Sequence, residues 1–390
     1  MQRYDILLNL QTLYGKFEKK YYFCSALSQH HRKTKMNLLV FNPEHDIALA
    51  KEQPGFTPPH AARALRHDLD FLPAFLAGKE DVVLVEDVER ACGRLQKVRA
   101  RLARMGVCCG VQSQLVSADM LPAVGKIDKV VPWGWDKAVC ERLQVAGVPE
   151  SSLPSKEYLK TVKELSHRVQ AIRLLDGFVS FKTLPPATSL EQLEDWVAGM
   201  SQAVLKAPWS SSGRGIRFVD GMLTPHQQGW VRNLLKKQGS VIVEPYYRKI
   251  ADLGMEFYSN GRGVVDYLGL SLFATNNGEY TGSVLATENC KRQMLQPYVS
   301  AEALDRTAEH IRQFVANDWG KRYEGPFGVD MMVVKSETGE AVLHPCVEIN
   351  LRLTMGHVAL AMSPRTDDEI RMSMTIVNEN NQYQLKVRKL

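Results

Sequence analysis

Hydrophobic and polar positions along the chain fall into short apolar runs separated by amphipathic stretches. From Met36 to about Glu150 these alternate. A buried strand is predicted at Asn37 to Phe41, a helix at Ala61 to Leu76, and a strand at Val82 to Val85. A helix then runs from Glu89 to Met105, with strands near Val107 and at Lys129 to Val131 and a helix from Asp136 to Ala146 closed by Gly147. That order predicts an α/β layer domain. Further on, a helix is predicted from Ser155 to Leu175 and strands at 178–182, 203–206 and 216–219. A helix opened by the Thr224-Pro225-His226-Gln227 capping signal follows, then strands at 241–243, near Glu256, and at 264–270. A long helix from Ala301 to Asn317 leads into two apolar runs, Val329–Val334 and Ala341–Ile349, joined by the polar stretch 336–340. This pattern predicts a β-hairpin.

The hairpin carries the most informative polar residues in the chain. Gly339 lies midway between Asp330 and Glu348, so antiparallel pairing about it sets these acids side by side. Glu348 and Asn350, two apart on a strand, share a face, while Val347 and Ile349 point into the core. Two carboxylates and an amide carbonyl suit a hard cation such as Mg²⁺, and Arg352 adds a permanent fork of donors for phosphate or carboxylate oxygens. A solvated hairpin face would account for any one of these acids. It does not account for acid, acid, amide and arginine set between Met331, Met332, Val347 and Ile349.

Length and charge set bounds around this site. With 390 residues the chain predicts two or three domains. The net charge of +6 is concentrated in residues 1–36, which hold seven Lys/Arg against two acids, so no nucleic-acid-sized basic surface is implied for the rest. Seven cysteines without a C-x-x-C pair or a zinc-like spacing fit a reducing cytoplasm, and no apolar run is long enough to span a membrane. Residues 1–35 read as a basic extension ahead of Met36 that is dispensable for activity, and residues 364–390 as a C-terminal tail.

Three loops carry the remaining candidate chemistry. Asn42-Pro43-Glu44-His45-Asp46 and Pro132-Trp133-Gly134-Trp135-Asp136 follow predicted strands, where open α/β sheets bind ligands. Asn42, Glu44, His45, Asp46 and Trp135 are therefore the substrate candidates, with capping as the plain alternative, favoured for Asp136. Between Lys206 and Ile216, Ser210, Ser211, Ser212, Gly213 and Gly215 can fold over phosphates, although a connection without function is equally consistent with this composition. No P-loop or strand-linked G-x-G-x-x-G occurs. Glu244 and Glu256 can accept from a ribose or an adenine amino group, or pair with Arg248 or Lys249.

Lys206, the 210–215 loop, Glu244 with Glu256, and then Asp330, Glu348, Asn350 and Arg352 in VDMMV…VEINLR stand in an order that resembles the ATP-grasp superfamily over roughly residues 155–360. The resemblance implies an N-terminal α/β domain (36–150) followed by a two-lobed ATP-grasp fold of α/β and α+β class (151–363). It implies ATP and Mg²⁺, with Mn²⁺ as a substitute metal, held by Asp330, Glu348 and Asn350. Lys206 and the serine–glycine loop would hold phosphates, and Glu244, Tyr246, Tyr247 and Glu256 the nucleoside. Lys206, Arg214 and Arg352 would be the catalytic cations, with Lys163 and Arg168 as alternatives for an upstream cation. The expected reaction joins a small-molecule or peptide carboxylate to an amine through an acyl phosphate, without nucleic-acid or membrane partners. A phosphotransferase and a non-catalytic nucleotide-binding module are the alternatives.

Overall fold

The computed structural model describes residues 36–51, 56–108, 113–178, 181, 183–210, 215–276 and 279–390. The basic extension expected at 1–35 lies outside them, as does most of the strand expected at 178–182.

The N-terminal domain is built on β1 (Asn37–Val40), with β2 (Val82–Leu84), β3 (Gln114–Val116) and β4 (Lys129–Pro132) in the order β3-β2-β1-β4, all parallel. All four residues of β1 are buried, as a parallel strand covered on both faces requires. Leu39 and Val83 face Leu95 and Leu102 of one helix, α3 (Val88–Arg104), while Leu38 and Val40 face Val139 and Leu143 of α4 (Lys137–Val145). Two shorter helices, α1 (His45–Lys51) and α2 (His60–Leu69), follow β1. The expected helix over 61–76 is thus α2 plus a separate 3-10 turn at Leu72–Phe75, and the strand expected near Val107 is β3 at 114–116.

The predicted 155–175 helix is two helices, α5 (Lys156–Leu165) and α6 (Val169–Leu175). At the break the Ser166 hydroxyl donates to Val162 O (2.7 Å), and the Val169 N–H is taken by His167 Nδ1 (3.0 Å) instead of a helical carbonyl. A small lobe follows, in which α7 (Leu190–Ala198) and α8 (Pro225–Gln238) back the antiparallel sheet of β5 (Ala203–Lys206), β6 (Ile216–Val219) and β7 (Ile242–Pro245), ordered β6-β5-β7. Leu193, Leu205, Val231 and Val243 form its core.

Seven strands form the large antiparallel sheet: β8 (Arg248–Asn260), β9 (Val265–Asn276), β10 (Glu279–Leu285), β11 (Glu324–Lys335), β12 (Ala341–Asn350), β13 (Met372–Glu379) and β14 (Gln382–Lys389). Their order is β12-β11-β8-β9-β10-β13-β14. Helices α9 (Glu288–Leu295) and α10 (Ala301–Asp318) pack on it, with Leu304, Ile311 and Val315 of α10 against Phe257 and Phe327. Helix α11 (Met355–Met362) sits on its other side, toward the N-terminal domain.

The C-terminal residues correct the expectation of a tail. Residues 372–389 are a hairpin paired to β10, turned by Asn380 and Asn381 at φ 53° and 62°. Two left-handed residues are what a tight two-residue hairpin needs, and asparagine tolerates that region. Met372, Met374, Leu385 and Val387 share one core with Leu69 and Leu102, so this hairpin fastens the large sheet to the N-terminal domain. Tyr383 N adds a bond to the Asp68 carboxylate (2.7 Å).

Candidate active site

The β11–β12 hairpin pairs Asp330 with Glu348, and it does so through an irregularity. Near the turn the ladder is centred on Thr338, with Lys335 opposite Ala341 and Val334 opposite Val342, a register that would set Asp330 against Cys346. Between Asp330 and Met332 the register shifts, so β12 carries two extra residues there. Pro345, which has no N–H for the ladder, lies in that span, and Glu348 arrives opposite Asp330 beyond it.

Around the pair, each polar group has a definite partner. Asn350 Nδ2 donates to Asp330 Oδ2 (2.9 Å), and its Oδ1 accepts from Arg352 Nη2 (2.8 Å). The Arg352 guanidinium grips Asp46 of the N-terminal domain, from Nε to Oδ1 (3.1 Å) and from Nη2 to Oδ2 (2.7 Å). Arg168, at the break between α5 and α6, reaches Glu348 Oε1 (2.8 Å), Ser210 Oγ (3.1 Å) and Ala207 O (2.8 Å). Of the two alternatives for an upstream cation, Arg168 therefore meets the site. Lys163 instead lies over the Trp209 ring, 5.1 Å from its centroid.

Electrostatics differ sharply within this small volume. Burial, together with the charges of Glu348 and Glu256, pushes the Asp330 carboxyl up to about 8, against the pull of Asn350 and Arg352. For Asp46 burial acts in the same raising direction, but Arg352, His45 and Arg168 outweigh it and hold that carboxyl below its ordinary value. Crowded acids short of positive charge are the donor set a divalent cation relieves. Asp330 and Glu348 fit Mg²⁺ by donor type and position, and Asn350 fits once its amide turns its oxygen away from Arg352. Among the described residues no group of three His, Cys, Asp or Glu side chains is placed to hold a metal.

Lys206 and Glu244, expected on phosphate and nucleoside respectively, are joined to each other by an ion pair (2.5 Å), with Lys206 buried. Beside them Tyr247 and Phe181 pack against the His344 ring, which burial holds down at about 4. Tyr246 is exposed. Gly215 O accepts from Ala207 N (2.8 Å), closing the base of the serine–glycine loop; Ser211, Ser212, Gly213 and Arg214 lie outside the described residues.

Glu256 is nearly sealed, at 2% exposure. It accepts from Ser271 Oγ (2.9 Å) and Thr354 Oγ1 (2.8 Å) and lies 3.0 Å from His357 Nδ1. Gly328 and Gly356 make room for it, since a Cβ on either would fall 2.6 Å or 1.8 Å from a carboxylate oxygen. Sequence reasoning missed this cluster, although Thr354 and His357 form a capping box at the start of α11 that is legible as a helix start.

The two substrate loops do meet. They follow β1 and β4, neighbours at the point where the strand order reverses, which is where open α/β sheets form a crevice. Asn42 Nδ2 donates to Gly134 O (2.8 Å) and Asp136 Oδ2 (3.0 Å), and His45 Nδ1 lies 3.1 Å from the same carboxylate. Asp136 caps α4 through Val139 N (2.8 Å). Asn42, Glu44 and His45 are all buried, with Glu44 tied to Arg66; Trp135 packs into the hydrophobic cores beside it. Among the five substrate candidates only Asp46 lines the cavity. The others lie behind the wall, with Asn42 and His45 on Asp136 and Glu44 on Arg66, although Glu44 Oε2 and His45 Nε2 are buried without a hydrogen-bond partner among the described residues.

That cavity, about 970 Å³, has Asp330, Glu348, Asn350, Arg352, Arg168 and Ser210 at one end. Ile47, Leu65, Met355, Ile376 and Tyr383 line it elsewhere. No helix among the described residues is long and apolar enough to cross a membrane.

No family model matches the chain, and no curated protein does. The chain is similar to solved structures at low sequence identity. One is the N5-carboxyaminoimidazole synthetase of Staphylococcus aureus complexed with ADP, at 10% identity, TM-score 0.46, covering 90% of this chain and 84% of that one. Another is the biotin carboxylase of Campylobacter jejuni in a β,γ-ATP complex, at 13% identity, TM-score 0.48, covering 88% and 76%. A third, an Archaeoglobus fulgidus protein provisionally assigned to the ATP-grasp superfamily, shows 14% identity and TM-score 0.46, covering 92% of this chain and 100% of its own.

Proposed function

We propose that this chain is an ATP-grasp enzyme that uses ATP and Mg²⁺ to join a carboxylate to an amine through an acyl phosphate. The observation that carries the reading is the convergence of Asp330, Glu348 and Asn350 with two arginines, Arg352 and Arg168, at one end of a cavity of about 970 Å³.

A carboxylate is a poor electrophile until its oxygen is phosphorylated. In the proposed sequence the substrate carboxylate attacks the terminal phosphorus of ATP and ADP leaves. The amine nitrogen then attacks the acyl carbon, phosphate departs with the bond electrons, and the nitrogen loses a proton. Bound Mg²⁺ would screen the phosphate oxygens, held by Asp330, Glu348 and Asn350. Arg352 is anchored by Asp46 with its fork in the cavity wall, ready for charge on the transferred phosphoryl group, and Arg168 ties the base of the serine–glycine loop to Glu348. Lys206, released from Glu244, would contact the phosphates, and the Glu244–Tyr247 strand end would meet adenine.

Hydroxylamine intercepts acyl phosphates as hydroxamates. Incubation of the protein with MgATP, a carboxylate panel and hydroxylamine is expected to yield hydroxamate in step with ADP. A stable phosphorylated alcohol or amine as product would replace the ligase by a phosphotransferase on the same scaffold.

A further inference from the structure

The two ends of the cavity differ in kind. Among the described residues its wall contains two cations, Arg168 and Arg352, and each already holds a carboxylate of the protein, Glu348 at 2.8 Å and Asp46 at 2.7 Å. Acids outnumber them: Asp46, Glu256, Glu279, Asp330 and Glu348 all reach the wall. Elsewhere the lining is mixed, with Ser271, Thr275, Thr281, Ser283 and Asn378 contributing polar groups beside an apolar stretch that comes from three separate parts of the chain. Leu65 belongs to α2, Met355 to α11, and Ile376 and Tyr383 to the C-terminal hairpin. All four are partly buried side chains packed on the shared core of the N-terminal domain and the hairpin, with their remaining surface open to the cavity.

An apolar surface of this kind favours a ligand body that leaves water there, and it offers no cation to a second negative charge. A phosphate or second carboxylate on the substrate would meet no further lysine or arginine among the described lining residues, and a charge left unpaired against Leu65, Met355, Ile376 and Tyr383 is a means of disfavouring a ligand. One carboxylate is accommodated, because it would sit at the metal-type end beside Arg352.

Resting on the ligase reading above, we propose that the carboxylate substrate is a single acid with an apolar body, of the class of alkyl and aryl carboxylic acids that includes the hydrophobic α-amino acids. Its body lies on the wall formed by Leu65, Met355, Ile376 and Tyr383. Phosphorylated and multiply charged acids are disfavoured.

The test uses the full chain. Calorimetry with a non-hydrolysable ATP analogue and Mg²⁺ comes first, and hydroxamate formation is then followed with L-leucine, L-phenylalanine, 4-methylpentanoate and 3-phenylpropanoate against citrate, L-glutamate and 3-phosphoglycerate. The apolar acids are expected to exceed the polyanionic ones in kcat/KM by about tenfold or more, the factor that one buried apolar side chain provides. Leu65→Lys is expected to lower kcat/KM for the preferred apolar acid by about ten- to hundredfold at unchanged nucleotide affinity. Ile376→Thr, a milder change, guards against a folding failure and is expected to act in the same direction. Preference for a polyanionic acid, no hydroxamate from any apolar acid despite nucleotide binding, or folded variants that process the apolar acid as well as wild type would overturn the inference. Failure to bind the nucleotide at all would instead remove the ligase reading on which it rests.

Discussion

Two polar clusters stand a few residues apart in this protein and are built on opposite principles. In the loop after β1, Asn42 and His45 turn inward to Asp136 and are almost wholly buried, so the carboxylate spends its accepting capacity on holding two loops and capping α4. The next residue, Asp46, turns outward to Arg352 and the cavity. Along the hairpin, Asp330 and Glu348 stand side by side and partly open; Arg168 pairs with Glu348, while burial and the neighbouring acids hold the Asp330 carboxyl raised. The first cluster spends its carboxylate on the fold, and the second keeps its acids at the cavity wall.

Glu348→Gln gives the sharpest separation between the two. The amide keeps the size of the side chain and removes a charge that the fold does not need for its core, so MgATP-dependent turnover should fall by about a hundredfold or more while Tm stays within a degree or two. Steady-state ADP release and a melting curve on the same sample check it. Retained turnover, or a collapsed melt, would mean that the hairpin acids belong to the structural kind.

Asp136→Ala reverses the signature. It leaves Asn42 and His45 without their shared acceptor and removes the cap on Val139 N, for an expected loss of about 3 kcal/mol in chemical denaturation. Activity measured well below the transition should stay near wild type. If instead turnover falls while stability holds, the loops at the sheet's reversal point take part in the chemistry.

This contrast also marks how much of the protein could be read from its sequence. Period-two patterning located the hairpin and the shared face of Glu348 and Asn350, and Asp330 did come opposite Glu348. The midpoint at Gly339 reached that pairing through a shift about Pro345 that no pattern announces. Three of the four parallel strands, β1, β2 and β4, and the capped helix α8 were legible because local rules suffice for them, whereas β3 lies at 114–116 and not near Val107. Which residue of His45-Asp46 faces inward was not, since the decision is made by Asp136, 91 positions away. Glu256 likewise takes its partner Thr354 from 98 positions away, so its acceptor role toward a nucleoside could be suggested by its strand but its actual clamp could not. The C-terminal hairpin is different: alternating Met372, Met374 and Leu385, Val387 about Asn380-Asn381 stand in the sequence, so a hairpin is legible there where a tail is expected.

The smallest effect is the most diagnostic of incompleteness. Because burial and the charges of Glu348 and Glu256 raise the Asp330 carboxyl from 3.8 to about 8, the folded protein keeps a proton there that the unfolded chain has released. Between those values the native state binds more protons than the unfolded one, so stability is lost as pH rises through about 8. Asp330→Asn removes that dependence. Without divalent cation the variant and the wild type should melt together near pH 4, and the variant should melt a few degrees higher by pH 8. Added Mg²⁺ should invert the order at pH 8, raising the wild-type Tm by mass action and leaving the variant nearly unmoved. Parallel melts of both proteins across this range, with and without Mg²⁺, read the effect directly. A wild type that is the more stable at pH 8 in the absence of metal would show that Asp330 is a satisfied structural acid like Asp136.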